Sequence, residues 1–268
     1  MSKHSTTFKP GSKFRLSDVN PASRGGFKDK DDAAKETNEN VEALGHLAYK
    51  LYAENRRSLL IVLQGMDTAG KDGTIRHVMS AVNPQGCHVV SFKQPGAEEL
   101  DHDFLWRIHM RAPARGNLGI FNRSHYEDVL IVRVHNLVPK DEWQTRYERI
   151  NGFEKSLVDG GTKVVKFYLH ISKDEQKERL EARLNDPEKR WKFSPGDLAE
   201  RKFWNDYTEA YEDALTKCNT EHAPWHIIPA NHKWYRNYLV SRVLRETLEE
   251  MNPTLPPADP DLDKVVVE

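Results

Sequence analysis

The chain has 268 residues, a formal net charge of -1, 38% hydrophobic and 30% charged residues, and a mean hydropathy of -0.75. This length supports one well-buried α/β domain with an elaboration, or two small domains. No apolar run approaches the ~20 residues that span a bilayer, the near-zero charge gives no general affinity for nucleic acid, and two cysteines, Cys87 and Cys218, are too few for a disulfide framework or a four-cysteine zinc site.

Residues 1–30 are polar and basic without period, which predicts an extended or disordered arm. Residues 1–13 show no apolar core of signal-peptide type, so a cytoplasmic location is the default expectation. From residue 31 the pattern turns helical, with Val41, Leu44, Ala48 and Leu51 on one stripe. The unbroken apolar run 59–63 suits a strand buried on both faces of a parallel sheet. A helix over 71–82 follows, stopped at Asn83-Pro84. Further strands are expected at 89–92, 118–121, 164–170 and 225–229. Helices are expected at 98–111, 141–158, 172–185, 195–218 and 233–251. Alternation of this kind calls for parallel strands with helices on both faces. The domain should run over 31–251, followed by an extended tail at 252–268.

The segment Gly65-Met66-Asp67-Thr68-Ala69-Gly70-Lys71-Asp72-Gly73-Thr74 joins the first buried strand to a helix. Glycines there let backbone N–H groups converge on an anion, and the helix start adds positive potential. Gly65, Gly70 and Lys71 satisfy the phosphate-loop spacing. The hydroxyl expected after the lysine is replaced by Asp72, so Asp67 is the natural metal ligand within the loop. Ala69, Gly70, Lys71, Asp72, Gly73 and Thr74 are the expected phosphate contacts.

The third strand runs into Asn122-Arg123-Ser124-His125-Tyr126-Glu127-Asp128. Ligands of doubly wound sheets collect at the carboxyl ends of strands. Arg123 is therefore expected to clamp phosphate, with Glu127 and Asp128 at the metal. Lys93, Arg107, Arg111, Arg115 and Arg133 are candidates for a cationic track. The segment from Arg183 to Lys192 joins two helices and carries Lys189, Arg190 and Lys192, which fits a mobile lid over 183–207. The stripe Trp204, Tyr207, Tyr211 and Leu215 reads as helix packing.

These motifs, together with Asp186-Pro187-x-Lys189-Arg190-Trp191-Lys192 and Trp234-Tyr235-Arg236, resemble the polyphosphate kinase 2 family from about residue 44 to 248. The resemblance implies a P-loop kinase fold like that of thymidylate kinase, three-layered around a parallel five-stranded sheet, with a helical lid. It implies Mg²⁺-dependent (or Mn²⁺-dependent) reversible transfer from inorganic polyphosphate to a nucleotide, and a homo-oligomer, dimer or tetramer. Asp67, Lys71, Arg123 and the lid arginine Arg183 would be catalytic. Asn122, Arg123, Tyr126 and Glu127 would meet the nucleotide. The His125-Tyr126-Glu127-Asp128 version is similar to the class III branch, which phosphorylates AMP and ADP to ADP and ATP. Asn122 departs from an aspartate common at that position. The rival readings are an ATP-dependent nucleoside monophosphate kinase and a non-catalytic phosphate or nucleotide sensor.

Overall fold

A computed structural model describes residues 7–260, 262, 265 and 267. The first six residues of the expected arm and Asp261, Asp263, Lys264, Val266 and Glu268 of the tail lie outside the described residues.

The elements follow one another as α1 (Lys30–Glu54), β1 (Ser58–Gln64), α2 (Lys71–Val78), β2 (Cys87–Ser91), α3 (Ala97–Leu100), α4 (Trp106–His109) and β3 (Leu118–Asn122). After a 3-10 turn at His125–Val129 come α5 (Ile131–Val134), α6 (Lys140–Asp159), β4 (Thr162–His170), α7 (Lys173–Asn185), α8 (Pro195–Glu200), α9 (Trp204–Lys217), β5 (Trp225–Pro229) and α10 (Lys233–Met251). The five strands form one sheet in the order β2-β3-β1-β4-β5, and every pairing is parallel. Every residue of β1 is buried, as its unbroken apolar run requires of a central strand covered on both faces. α1 packs along α10 and α10 on α2, while α6 packs on β4 and α9 on α5. These are the two helical layers expected. Cys218 is buried and Cys87 half-buried.

Two predicted helices are broken. The stretch 98–111 forms two single turns, α3 and α4, separated by a turn in which the Asp103 carboxylate accepts from the Leu105 N–H at 2.9 Å. The stretch 195–218 breaks at the 3-10 turn Arg201–Phe203. There the Arg201 guanidinium leaves the helix surface to donate to the Lys173 carbonyl and Gln176 Oε1.

The arm is extended and docked. Leu16 N–H donates to Glu212 on α9 at 2.8 Å, and Asn231 N–H donates to the Pro21 carbonyl at 3.1 Å. Phe27 packs edge-on against Tyr238 of α10 at 4.8 Å. No helix among the described residues is long and apolar enough to cross a membrane.

Candidate active site

The loop between β1 and α2 is built for close approach. Gly70 has φ +102°, and a Cβ there would lie 2.0 Å from Arg236 Nη1; at Gly65 it would lie 2.8 Å from the Leu169 carbonyl oxygen. Thr68, at φ +64°, and Arg123, at φ +63°, occupy the left-handed region without being glycine. Such residues cost on the order of 1–3 kcal/mol and gather at functional sites. Here one sits in each of the two loops that meet.

β1 and β3 are neighbours, with Leu63 opposite Asn122, so their carboxyl ends bring the two loops together. Arg123 Nη2 donates to Asp67 Oδ1 at 3.2 Å. Lys71 Nζ lies back over the loop, donating to the Gly65 carbonyl at 2.6 Å. Burial lowers the Lys71 pKa, with Asp67 opposing. Burial also works against the Arg123 charge, but Glu127 and Asp67 outweigh it and hold that pKa above its ordinary value. Burial raises the Glu127 pKa, while Arg123 and Lys71 pull it down. Asp67, Lys71, Arg123 and Glu127 thus form one electrostatic group.

Asn122 and Asp72 are joined directly, with Asn122 Nδ2 donating to Asp72 Oδ1 at 2.7 Å. The two departures noted in the sequence therefore account for each other: the acceptor stands at the helix start and the donor at the strand end.

Several expected contacts lie elsewhere. Thr74 Oγ1 turns back into α2 and donates to the Gly70 carbonyl at 3.0 Å. Asp128 faces Arg146 at 3.0 Å, and burial carries its pKa to about 6 against the pull of Arg146. Tyr126 is fully buried, its hydroxyl donating to Glu154 Oε1 at 2.8 Å and accepting from Lys166 at 2.8 Å, so it meets no ligand in the crevice. The three-residue period of the 3-10 turn allows this: His125 and Tyr126 are buried in the core, and Glu127 turns toward the loop. Arg133 is held by Glu209 at 2.5 Å and Asp213 at 2.6 Å. Arg107 is buried, donating to the Lys93 carbonyl at 2.9 Å, which removes it from any exposed track.

Arg183, on the last turn of α7, pairs with Asp197 at 3.2 Å. The Asp197 pKa is raised by burial and then by Asp67, with Arg183 opposing. Lys189 pairs with Asp186, Arg190 Nε donates to the Leu184 carbonyl at 2.6 Å, and Lys192 stands 5.0 Å from the Trp191 ring.

A second cationic group, unforeseen in the sequence, flanks the loop on the α7 and α10 side. Burial and the adjacent Arg179 pull Arg236 down to about 10. Lys233 is lowered by burial and then by Arg179, Arg236 and, more weakly, Lys189, against Glu175. The signals in the sequence were Arg236 within the Trp234-Tyr235-Arg236 motif and the spacing of Gln176, Arg179 and Arg183, which puts them on one face of a helix.

A family model for polyphosphate kinase 2 matches residues 27–256. An AMP/ADP-polyphosphate phosphotransferase from Meiothermus ruber is 51% identical over 264 residues, covering 97% of this chain and 98% of that protein. An ADP-polyphosphate phosphotransferase from Rhodopseudomonas palustris is 50% identical over 232 residues, covering 82% and 80%. The crystal structure of a polyphosphate kinase 2 from Arthrobacter aurescens TC1 superposes with a TM-score of 0.93 at 46% identity, covering 97% of this chain and 93% of that one.

Proposed function

The chain belongs to the polyphosphate kinase 2 family, and we propose that it transfers the terminal phosphoryl group of inorganic polyphosphate to AMP and to ADP, reversibly. The observation that carries this is the meeting of Asp67, Lys71, Arg123 and Glu127 at the carboxyl ends of β1 and β3, flanked by the excess positive charge of Arg179, Lys233 and Arg236. A donor charged at every phosphate is what such an excess attracts. The Meiothermus ruber relative is named for both acceptors and the Rhodopseudomonas palustris one for ADP, which supports the pair of substrates.

Phosphoryl transfer passes through a loose, in-line transition state and asks mainly for alignment and charge neutralisation. Lys71 and Arg123 supply positive charge to the transferring group, and the loop amides cradle the donor phosphates. Arg183, paired with Asp197, would add its guanidinium once freed from that carboxylate. The carboxylates of Asp67 and Glu127 fit Mg²⁺, which takes one or two protein oxygens and completes its shell from substrate phosphates and water. Bound there, the ion would offset phosphate charge. Asp128 is paired with Arg146 instead.

The test is direct. Purified protein with Mg²⁺ is given AMP or ADP, and either polyphosphate or ATP as donor, and the nucleotides are separated. ADP and ATP should appear from polyphosphate. Turnover of AMP with ATP alone would establish the monophosphate kinase reading, and phosphate or nucleotide binding without turnover from any donor would favour the sensor.

A further inference from the structure

The inward face of α7 is bonded to the backbone of the phosphate loop. Gln176 Nε2 donates to the Asp67 carbonyl at 3.1 Å. Arg179 Nη1 donates to the Thr68 carbonyl at 2.9 Å and the Ala69 carbonyl at 3.0 Å. Arg179 Nη2 donates to the Ala230 carbonyl at 2.6 Å and the Asn231 carbonyl at 3.0 Å, and Nε to Glu175 Oε1 at 2.7 Å. A guanidinium has five N–H donors, and all five of Arg179 are in use. It therefore has no donor left for a phosphate.

In a planar trans peptide the C=O and the following N–H point in opposite directions. Capturing the carbonyls of Asp67, Thr68 and Ala69 turns the next three N–H groups away from α7. The Ala69 N–H closes onto the Met66 carbonyl at 3.1 Å. The amides of Thr68 and Gly70 are left as anion donors. Without the tether the peptide planes could rotate, and at the strained Thr68 (φ +64°) they have reason to.

We propose that Arg179, assisted by Gln176, is a positioning residue of the reaction: it fixes the amides of the phosphate loop toward the donor, and it sets Arg183, one turn further along the same helix, at a constant distance from that loop. The role is one of geometry, because the fork of the guanidinium reaches two loops at once. A lysine has the charge without the fork. The proposal rests on the reading of the loop as the donor's cradle.

The experiment compares wild type with Arg179→Lys, Arg179→Met and Gln176→Leu. It follows kcat, KM for polyphosphate and KM for AMP, with tripolyphosphate affinity by calorimetry and the fold by circular dichroism. Both Arg179 variants should lose about tenfold to hundredfold in kcat/KM for polyphosphate. Both should bind tripolyphosphate more weakly, with the AMP KM within about twofold of wild type. Gln176→Leu, which removes a single bond, should move the same quantities in the same direction by less, and it keeps the test open should the Arg179 variants fold poorly. Wild-type kinetics in Arg179→Lys would overturn the proposal, since charge alone would then suffice. So would a parallel rise of both KM values, the mark of general loosening. Absence of polyphosphate turnover in the wild type itself would count against the proposed function instead.

Discussion

Replacing Lys166 by methionine tests how the turn that carries Glu127 is held. Lys166, on the interior strand β4, and Glu154, on α6, are both fully buried. The ammonium has three donors and three partners: Glu154 Oε2 at 2.7 Å, the Tyr126 hydroxyl at 2.8 Å and the Cys218 carbonyl at 2.6 Å. Glu154 Oε1 accepts from Tyr126 at 2.8 Å and lies 3.2 Å from His125 Nε2. Burial would raise the Glu154 pKa, but Lys166 outweighs it and keeps the carboxyl below its ordinary range. Removing one member of such a pair strands a buried charge and costs about 3–5 kcal/mol. For a domain of this size each kcal/mol lowers Tm by about 2–4 °C, so Lys166→Met should melt on the order of 10 °C lower. Glu154→Gln in the same chain removes the stranded charge and should recover about 1–3 kcal/mol. The assay is urea and thermal unfolding of wild type, both singles and the double, with the urea slope checked for constancy. A Lys166→Met protein within about 1 kcal/mol of wild type, or a double equal to the sum of the singles, would refute the reasoning.

Lys71→Ala and Arg123→Ala should each lower kcat by on the order of 10²–10³ or more while the protein stays folded, as read by turnover beside circular dichroism; near-full activity in either would move the site elsewhere. Because burial raises the Glu127 pKa and its ionised form is the working one, kcat/KM should fall as pH drops through a value above the ordinary carboxylate range, and Glu127→Gln should abolish that acid limb. Glu127→Asn should impair AMP more than ADP, and equal losses on the two acceptors would remove Glu127 from acceptor choice. Gly70→Ala forces a methyl onto Arg236 at a positive φ, so lowered Tm and lost turnover should appear together. Asn122→Asp alone sets two carboxylates face to face across the 2.7 Å contact with Asp72 and should cost activity; adding Asp72→Asn should restore it, and a double no better than the single would show that the charge must stay at Asp72.

The sheet was legible because the unbroken apolar run at 59–63 leaves a central parallel strand as the only economical reading, while 164–170 shows the β-branched and aromatic residues of a strand despite Lys166 within it, and β1 and β4 stand at those positions. The meeting of Lys71, Asp67, Arg123 and Glu127 was legible for a related reason: neighbouring parallel strands end on the same side, so loops that follow them must share a crevice. What was not legible depends on which way a side chain turns. Tyr126 and Glu127 are adjacent in sequence, yet one faces the core and the other the loop, and only the buried Lys166 and Glu154 decide which. Thr74 fits a phosphate motif by spacing, but its hydroxyl finds the Gly70 carbonyl one helical turn back. Arg179 lies 111 residues from the Thr68 carbonyl it holds. No local pattern announces a contact over that separation, and α7 is charged nearly all round, so its sequence does not single out the face that turns inward.

The docked arm has a mechanical consequence. α7 is clamped to the phosphate loop by Arg179, and α9 is clamped near its far end by Leu16 N–H on Glu212. The chain between them, residues 186–203, is therefore a span with both ends fixed. It contains the short α8, two 3-10 turns and the exposed Trp191. A movement that brings Lys189, Arg190 or Lys192 down over the crevice has to be absorbed inside that span, as bending of its own turns, and not by swinging α7 or α9 as levers. Deleting residues 7–29 would release one clamp, and the closing motion would then become slower to settle and less reproducible in its endpoint.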